Sequence, residues 1–501
     1  MKRKDQKDGR TWVSLTKSAN VSEVDVLRGY LESKGVSVRL VQVGLTRVYP
    51  FTVGPLAQKM EILVPEEEED KAREILEALA SEEKMPALEP EEEYNPEAEQ
   101  EGICLLVEEM RDEIIAFLQD LVKTESVNPP GHTRRIVRLI CDKLDTFGGE
   151  YEMISEDDSR QNLVAWINRG KKPCLLYNSH MDTVPEGDVQ KWTYGPFSGE
   201  VAAGYLYGRG AADAKASLAA MVMAAKVLAV SGLEMEGSLM VNPVCDEETG
   251  GEKGTRYLLE TGAVDPDHVV IGEITGNAVA VAEKGVINID LKVLGRSAHA
   301  STPWDGANAI DGMTAVLDRL KKYFHEHLEE KTHALTPPPS MNTGMIKGGV
   351  KSNMVAEQCE AVVDMRPIPG MDTDQIVEDL QKVLDEYQEQ QGDLTLESSI
   401  RVLGRPFETD PEEKMVNKCR EAVRFLDSDD EITGYAQVSD GRFFAEKGIP
   451  TVILGPGEPA QAHTHDEHIS VEEVIKAVKI YVLTALKMLR YHKEEGKDQA
   501  D

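Results

Sequence analysis

The sequence predicts an α/β protein in three parts. These are a mixed-sheet domain with helices on both faces, a smaller α+β domain that interrupts it, and a small N-terminal α+β module. Three observations carry that prediction. From Ile103 onward, short apolar strand segments alternate with helical periodicities, the pattern of a sheet covered on both faces. From Gly285 the texture changes to alternating strands and two amphipathic helices, and it reverts near Val402. A chain of 501 residues also exceeds the roughly 250–300 residues at which single cores stop growing.

Taken in order, residues 10–80 read as the N-terminal module. Trp12 to Leu15 is a strand, and Val21, Val24, Leu27 and Leu31 then fall at helical spacing up to a stop at Lys34-Gly35. Strands follow at 36–40 and 60–64, and a helix at 68–79. Residues 81–102 are rich in proline and glutamate and are expected to form an extended acidic linker. In residues 103–284, helices are expected at 105–122 and 132–147. Strands there are expected at 163–167, 174–177, 238–244 and 268–271. The interrupting domain, residues 285–401, has strands at 286–293, 361–365 and 394–397 and helices at 307–323 and 374–387. The main domain resumes over 402–495 with a strand at 451–454 and a last helix at 471–491.

Composition narrows the function classes. A net charge of −35 argues against nucleic acid or an anionic membrane as a partner. Much of that charge sits in runs read as solvated surface: 66–70, 81–101 and the tail after Lys493. Six cysteines without a CxxC pair fit reduced thiols in a cytoplasm. Cys245, beside an acidic cluster, reads as a small buried hydrophobe. The charged start leads into no apolar core of a secretory signal, and the apolar segment 217–233 is interrupted by Lys226. A soluble cytoplasmic protein is expected.

The chemistry concentrates at strand ends. His180 closes the apolar run Leu175 to Ser179, where open α/β sheets bind ligands. Asp182, two positions on, is placed to fix the imidazole tautomer. Asp213 sits in Gly208-Arg209-Gly210-Ala211-Ala212-Asp213, whose glycines permit a tight turn; a carboxylate there can bridge two cations, although a helix-capping role would also explain the acid. Glu247 and Glu248 follow a buried strand, so one can face a metal and the other a reacting water; Glu247 is assigned as base and Glu248 as ligand. Glu273 repeats the strand-end placement. Near the C-terminus, His463, His465 and His468 lie within six residues, and spacing alone leaves the choice among them open, with His463 leading.

As a set, these residues resemble the zinc-dependent family of acetylornithine deacetylase, succinyl-diaminopimelate desuccinylase, aminoacylase and glutamate carboxypeptidase. The motifs are SHMDTVP (179–185), GRGAADAK (208–215), DEETGG (246–251), GRSAHAS (295–301), SDGRFF (439–444) and AHTHDE (462–467), and the resemblance covers roughly residues 105–489. The resemblance implies two Zn²⁺ per subunit, with Co²⁺ or Mn²⁺ also acceptable to such ligands. His180, Asp213 and Glu273 would hold one metal and Asp213, Glu248 and His463 the other, with Asp182 orienting His180. It further implies a cis peptide after Asp213 and a homodimer formed through the interrupting lid domain. His299 would reach the partner's active site, and Asn353, Arg366 and Arg442 would contact substrate. For Arg366, a salt bridge with Asp364 is the competing reading. One departure bears on substrate: the desuccinylase branch has Gly-Gly-Thr where this chain has Ala436-Gln437-Val438, which argues against diaminopimelate as the amine. The N-terminal module resembles a small prokaryotic module described as signal-transducing.

The function expected is hydrolysis of an N-acyl amino acid or short peptide beside a free carboxylate, by metal-activated water with Glu247 as base. A di-/tripeptidase or carboxypeptidase of the same family is the nearest alternative. A non-catalytic metal-binding regulator is the alternative from another class, but it predicts a missing base or ligand, and none is missing.

Overall fold

Four apolar segments, Ser238–Val244, Cys174–His180, His268–Ile271 and Thr451–Ile453, lie side by side in parallel in the computed structural model of the chain. This structure describes residues 2–4, 11–18, 21–43, 59–81 and 95–490. Every residue of Cys174–His180 and Ser238–Val244 is buried, as expected of parallel strands covered on both faces. Antiparallel and edge strands widen the sheet to nine. Asn162–Ile167 and then Glu150–Ile154 flank one side. Val279–Glu283 flanks the other and carries Phe407–Glu408 and Ile432–Tyr435. The helix Val471–Leu489 covers the sheet; its Tyr481 carbonyl accepts from the Tyr177 hydroxyl at 2.5 Å, with the two rings 5.2 Å apart.

The interrupting domain is a four-stranded antiparallel sheet in the order Ser340–Gly348, Gln358–Arg366, Val286–Leu294, Thr395–Gly404. Its central strand alternates strictly, burying Ile287, Ile289, Leu291 and Val293 against Met313, Val316 and Leu320 of helix Ala309–His327 and Leu380 and Leu384 of helix Thr373–Glu389. The two chain crossings into this domain pass so closely that a Cβ on Gly285 would sit 2.6 Å from the Gly404 carbonyl oxygen. Glycine is required there for the space, not for its dihedral freedom. The last lid strand runs to Gly404, so the return to the main sheet falls slightly later than Val402.

The chain divides into two units: residues 1–112 with 223–235, and the remainder. In the first, the sheet order is Lys2–Lys4, Thr11–Ser18, Lys59–Pro65, Arg39–Val43, with helices Val21–Ser33 and Glu69–Ser81. Val13, Leu15, Val24, Leu31, Ile62 and Val64 make its core. The strand and helix alternation read from the sequence is therefore present.

Some expectations need correction. Residues 82–94 of the expected linker, and the polar tail after Lys493, lie outside the described residues. From Asn95 the chain is helical, because Asn95 Oδ1 accepts from Glu97 N and Ala98 N and Pro96 opens the first turn. The single helix expected over 105–122 is two, Pro96–Glu109 and Arg111–Lys123. Met110 leaves helical geometry at φ −90° and ψ 3°. The edge strand Ser340–Gly348 escaped the sequence reading because it has no buried alternation to betray it. No helix among the described residues is long and apolar enough to cross a membrane.

Candidate metal centre

All four parallel strands release their chains at the same edge of the sheet, and the candidate ligands lie just past those ends. His180 is the last residue of its strand, Glu247 and Glu248 follow Val244 by three and four positions, and Glu273 follows Ile271 by two. His463 comes from the loop after Thr451–Ile453 and is held at φ 60°, a left-handed conformation uncommon for a residue with a Cβ. Asp213 arrives separately, in the turn before helix Lys215–Ser231, and its peptide bond to Ala214 is cis.

The side chains form two groups that share one carboxylate. His180 Nε2 lies 3.1 Å from Asp213 Oδ1 and 3.6 Å from Glu273 Oε1. His463 Nε2 lies 3.4 Å from Asp213 Oδ2 and 3.2 Å from Glu248 Oε2. In each of the groups His180/Asp213/Glu273 and Asp213/Glu248/His463, one ligand atom per residue lies within 4.8 Å of the others. His465 and His468 belong to neither.

Whether these residues suit a cation can be tested on their hydrogen bonds. His180 Nδ1 lies 2.8 Å from the main-chain oxygen of Asp182, so that nitrogen carries the proton and donates. Nε2 then faces two carboxylate oxygens, on the side where a cation would be held. Glu248 Oε1 is buried without a hydrogen-bond partner, as an oxygen reserved for a cation would be. Burial alone would lower the His180 imidazole, but the hydrogen bond to Asp213 and the charges of Glu273 and Asp213 outweigh it and raise it well above its ordinary value. Burial, followed by the charges of Asp213 and Glu248, holds Glu273 well above the carboxylate range despite His180. Metal ligation fits this set, and imidazole with carboxylate is a donor mix for Zn²⁺ and its neighbours.

The supporting residues correct the sequence reading in three places. Asp182 orients His180 through its main-chain oxygen; its carboxylate is 3.7 Å from Nδ1 and instead accepts from Asn128 Nδ2 at 2.8 Å. Burial pushes that carboxyl up to about 7. Arg442 is buried and donates to the Ser439 carbonyl at 2.6 Å and the Gly250 carbonyl at 2.8 Å, so it braces the loop carrying Glu247 and Glu248. Arg366 is in the bidentate pair with Asp364, at 2.7 and 3.0 Å, that was its competing reading. His299 and Asn353 are brought together on the lid, where Ala300 N donates to the Asn353 carbonyl at 3.1 Å and His299 pairs with Met354. Both are exposed, and His299 Nδ1 lies 2.7 Å from Ser301 Oγ.

Several positioning residues were missed. Asn128 also donates to Thr249 Oγ1 at 3.0 Å, linking the Asp182 and Glu248 loops. Tyr435 donates to Glu273 Oε2 at 3.2 Å. The Asp246 carbonyl receives Thr249 N and Gly251 N, and its Oδ2 receives Lys253 N, shaping the glutamate loop. Glu467 grips the Asp213 turn through Gly210 N, Ala212 N and Asp213 N. Asp246 and Glu467 stand inside recognisable motifs, but a motif does not say which acid is a ligand and which a brace. Asn128 and Tyr435 carry no signal in a single sequence.

With this geometry in view, comparison with known proteins is informative. Residues 176–487 match the sequence profile of peptidase family M20/M25/M40, a span that includes both ligand groups and the lid. The chain belongs to that family of hydrolases. Residues 12–80 match the profile of a "Putative prokaryotic signal transducing protein". The chain is 27% identical over 406 residues to the "Probable succinyl-diaminopimelate desuccinylase" of Staphylococcus aureus (strain MSSA476), covering 75% of this chain and 98% of the relative. It is 26% identical over 402 residues to an uncharacterised metallohydrolase of Methanocaldococcus jannaschii, covering 74% and 98%. A tripeptidase from Staphylococcus aureus superposes with a TM-score of 0.60 at 22% identity, covering 75% of this chain and 98% of that one. An M20 family metallo-carboxypeptidase from Sulfolobus solfataricus gives 0.63 at 20%, covering 75% and 99%. These two likenesses establish the shared fold.

One buried acid beside the site yields a stability prediction. Glu283 is fully buried, accepts from Ser439 Oγ, and burial pushes its carboxyl up to about 8 from an ordinary 4.5. The folded chain therefore keeps a proton that the unfolded chain releases between those values, so this group makes stability fall as pH rises across that window. Glu283→Gln should flatten the decline of unfolding temperature between pH 4.5 and 8 relative to wild type; equal slopes would contradict this reading.

Proposed function

We propose that this chain is a binuclear metal-dependent amidohydrolase that cleaves an N-acyl amino acid or short peptide beside a free carboxylate. The observation that supports it best is the sharing of Asp213, whose two oxygens face two different imidazoles. His180, Asp213 and Glu273 would hold one cation, and Asp213, Glu248 and His463 the other. Two such cations, Zn²⁺ or in its place Co²⁺ or Mn²⁺, would supply Lewis acidity and a water ionisable near neutral pH.

Glu247 is the general base. It adjoins the ligand Glu248 on a one-turn helix. Burial, together with the charges of Glu273, Asp440 and Glu248, raises its carboxyl well above the usual range, with His180 acting in the opposite direction. A carboxylate raised in this way binds a proton more readily than a solvated one. It takes the proton of the attacking water and returns it to the leaving nitrogen, a role worth about 10²–10⁴-fold in rate.

The lid completes the site. The exposed His299 ring is the donor to the oxyanion that forms at the scissile carbonyl, and Asn353 beside it contacts substrate. This assignment uses a homodimer in which His299 serves the partner subunit. Support for such an assembly comes from the outermost lid strand, which exposes Met345 (65%) and Ile346 (57%), with Val350 (86%) just beyond it. Apolar side chains along a sheet edge form a surface that a second copy can cover.

The amide could equally belong to a di- or tripeptide, a reading favoured by the likeness of the fold to a tripeptidase and a carboxypeptidase. A panel of N-acetyl amino acids against dipeptides and tripeptides, run on metal-reconstituted protein, separates the two. Glu247→Gln should retain metal by elemental analysis and lose about 10²–10⁴-fold in turnover on whichever substrate is found. Wild-type turnover in that variant would overturn the assignment. Mixed dimers of His299→Ala and Glu247→Gln should regain activity absent from either parent, because one of the two sites then holds both groups. No recovery in mixed dimers would reject the shared-site reading.

A further inference from the structure

We infer that Glu467 is a positioning residue that fixes the second ligand group by tying the His463 loop to the Asp213 turn. Asp213 and His463 stand 250 positions apart in the numbering, yet their side chains must keep a fixed separation at one site. Glu467 is fully buried and joins the two segments. Its Oε2 accepts from Arg209 Nη1 at 2.6 Å and Gly210 N at 3.1 Å, and its Oε1 accepts from Ala212 N at 2.9 Å and Asp213 N at 3.0 Å. Its main-chain oxygen accepts from Gly208 N at 2.9 Å.

Every bond from the Glu467 carboxylate therefore lands on residues 209–213, the turn that delivers the shared ligand. Four donors converge on one carboxylate, one of them a guanidinium, and only an ionised acid accepts from all of them. An amide would place a donor against a donor. The turn has little freedom to adapt, because Gly210 has φ +82° and a Cβ there would stand 2.6 Å from Thr183 Cγ2. The loop on the other side is anchored as well: Asp466 Oδ1 accepts from Thr193 N at 2.6 Å and Oδ2 from Thr193 Oγ1 at 2.7 Å. Four residues before Glu467, His463 meets Asp213 and Glu248, while His180 and Glu273 are fixed by the central strands and do not depend on this loop. The clamp thus acts mainly on the Asp213/Glu248/His463 group.

This inference rests on the binuclear reading above, and the test separates the two. Full-length wild type and Glu467→Gln are stripped of metal and titrated with Zn²⁺ by calorimetry. Wild type should take two equivalents. Glu467→Gln should weaken both equivalents, because Asp213 belongs to both groups, but the second by about 10–100-fold and more than the first, because the His463 loop is released as well; that is the usual cost of losing a partner that orients a ligand. Its kcat should fall with KM unchanged and recover in excess Zn²⁺. A brace of general structural effect would weaken both equivalents to the same extent and lower the unfolding temperature of the metal-free chain. That outcome, or two equivalents at wild-type affinity, overturns the proposal. If Glu467→Gln fails to fold, Glu467→Asp keeps the charge but cannot span both sides of the turn, and the same selective loss is expected; two wild-type affinities there overturn the proposal. Fewer than two equivalents in wild type would instead remove the binuclear reading itself.

Discussion

Three carboxylates and two imidazoles meet at one sheet edge, and the Asp213 carboxylate, with one oxygen toward each imidazole, is what joins them. Two like charges 4 Å apart cost about 4 kcal/mol even at an effective dielectric of ~20. Burial and mutual charge accordingly drive Glu247 and Glu273 far above the carboxylate range in the metal-free chain. A cation held in each group, as proposed, would reverse the sign of that interaction and take the same side chains as its ligands.

Much of the surrounding architecture follows from holding that cluster. The four parallel strands supply rigid starting points for His180, Glu247, Glu248 and Glu273 and lead into the His463 loop. The connecting loops are then stiffened by hydrogen bonds to their own backbone. Asp246 shapes the glutamate loop, Arg442 holds it from below through the Gly250 carbonyl, and Asn128 links it to Asp182. The lid has a different task. It is a self-contained sheet with its own core, attached by two crossings that meet at Gly285 and Gly404, and it presents His299 and Asn353 on an exposed edge.

The candidate ligands stand out in sequence because each one closes or follows an apolar run or sits in a glycine-rich turn. The alternating core of the lid was legible for the same kind of reason, as Ile287, Ile289, Leu291 and Val293 face one way. Less could be read where burial leaves no period. Ser340–Gly348 is an exposed edge strand, and the helix Lys414–Phe425, though it buries Met415, Cys419 and Ala422 on one face, was overlooked between two loops. The braces were the least visible. Through their side chains, Asn128, Tyr435 and Glu467 act on residues 54 to 258 positions away, and a local pattern carries no trace of such a contact. For Arg366 and Arg442, the sequence names the charge but not its partners, which are the Asp364 carboxylate for one and the Ser439 and Gly250 carbonyls for the other.

The central claim is that one carboxylate serves two cations, and metal stoichiometry tests it most directly. Elemental analysis of Zn²⁺-reconstituted wild type, His463→Ala and Asp213→Ala should return two, one and no tightly held ions per chain. Two ions retained by the folded Asp213→Ala protein would contradict a shared ligand, and with it the account of the site.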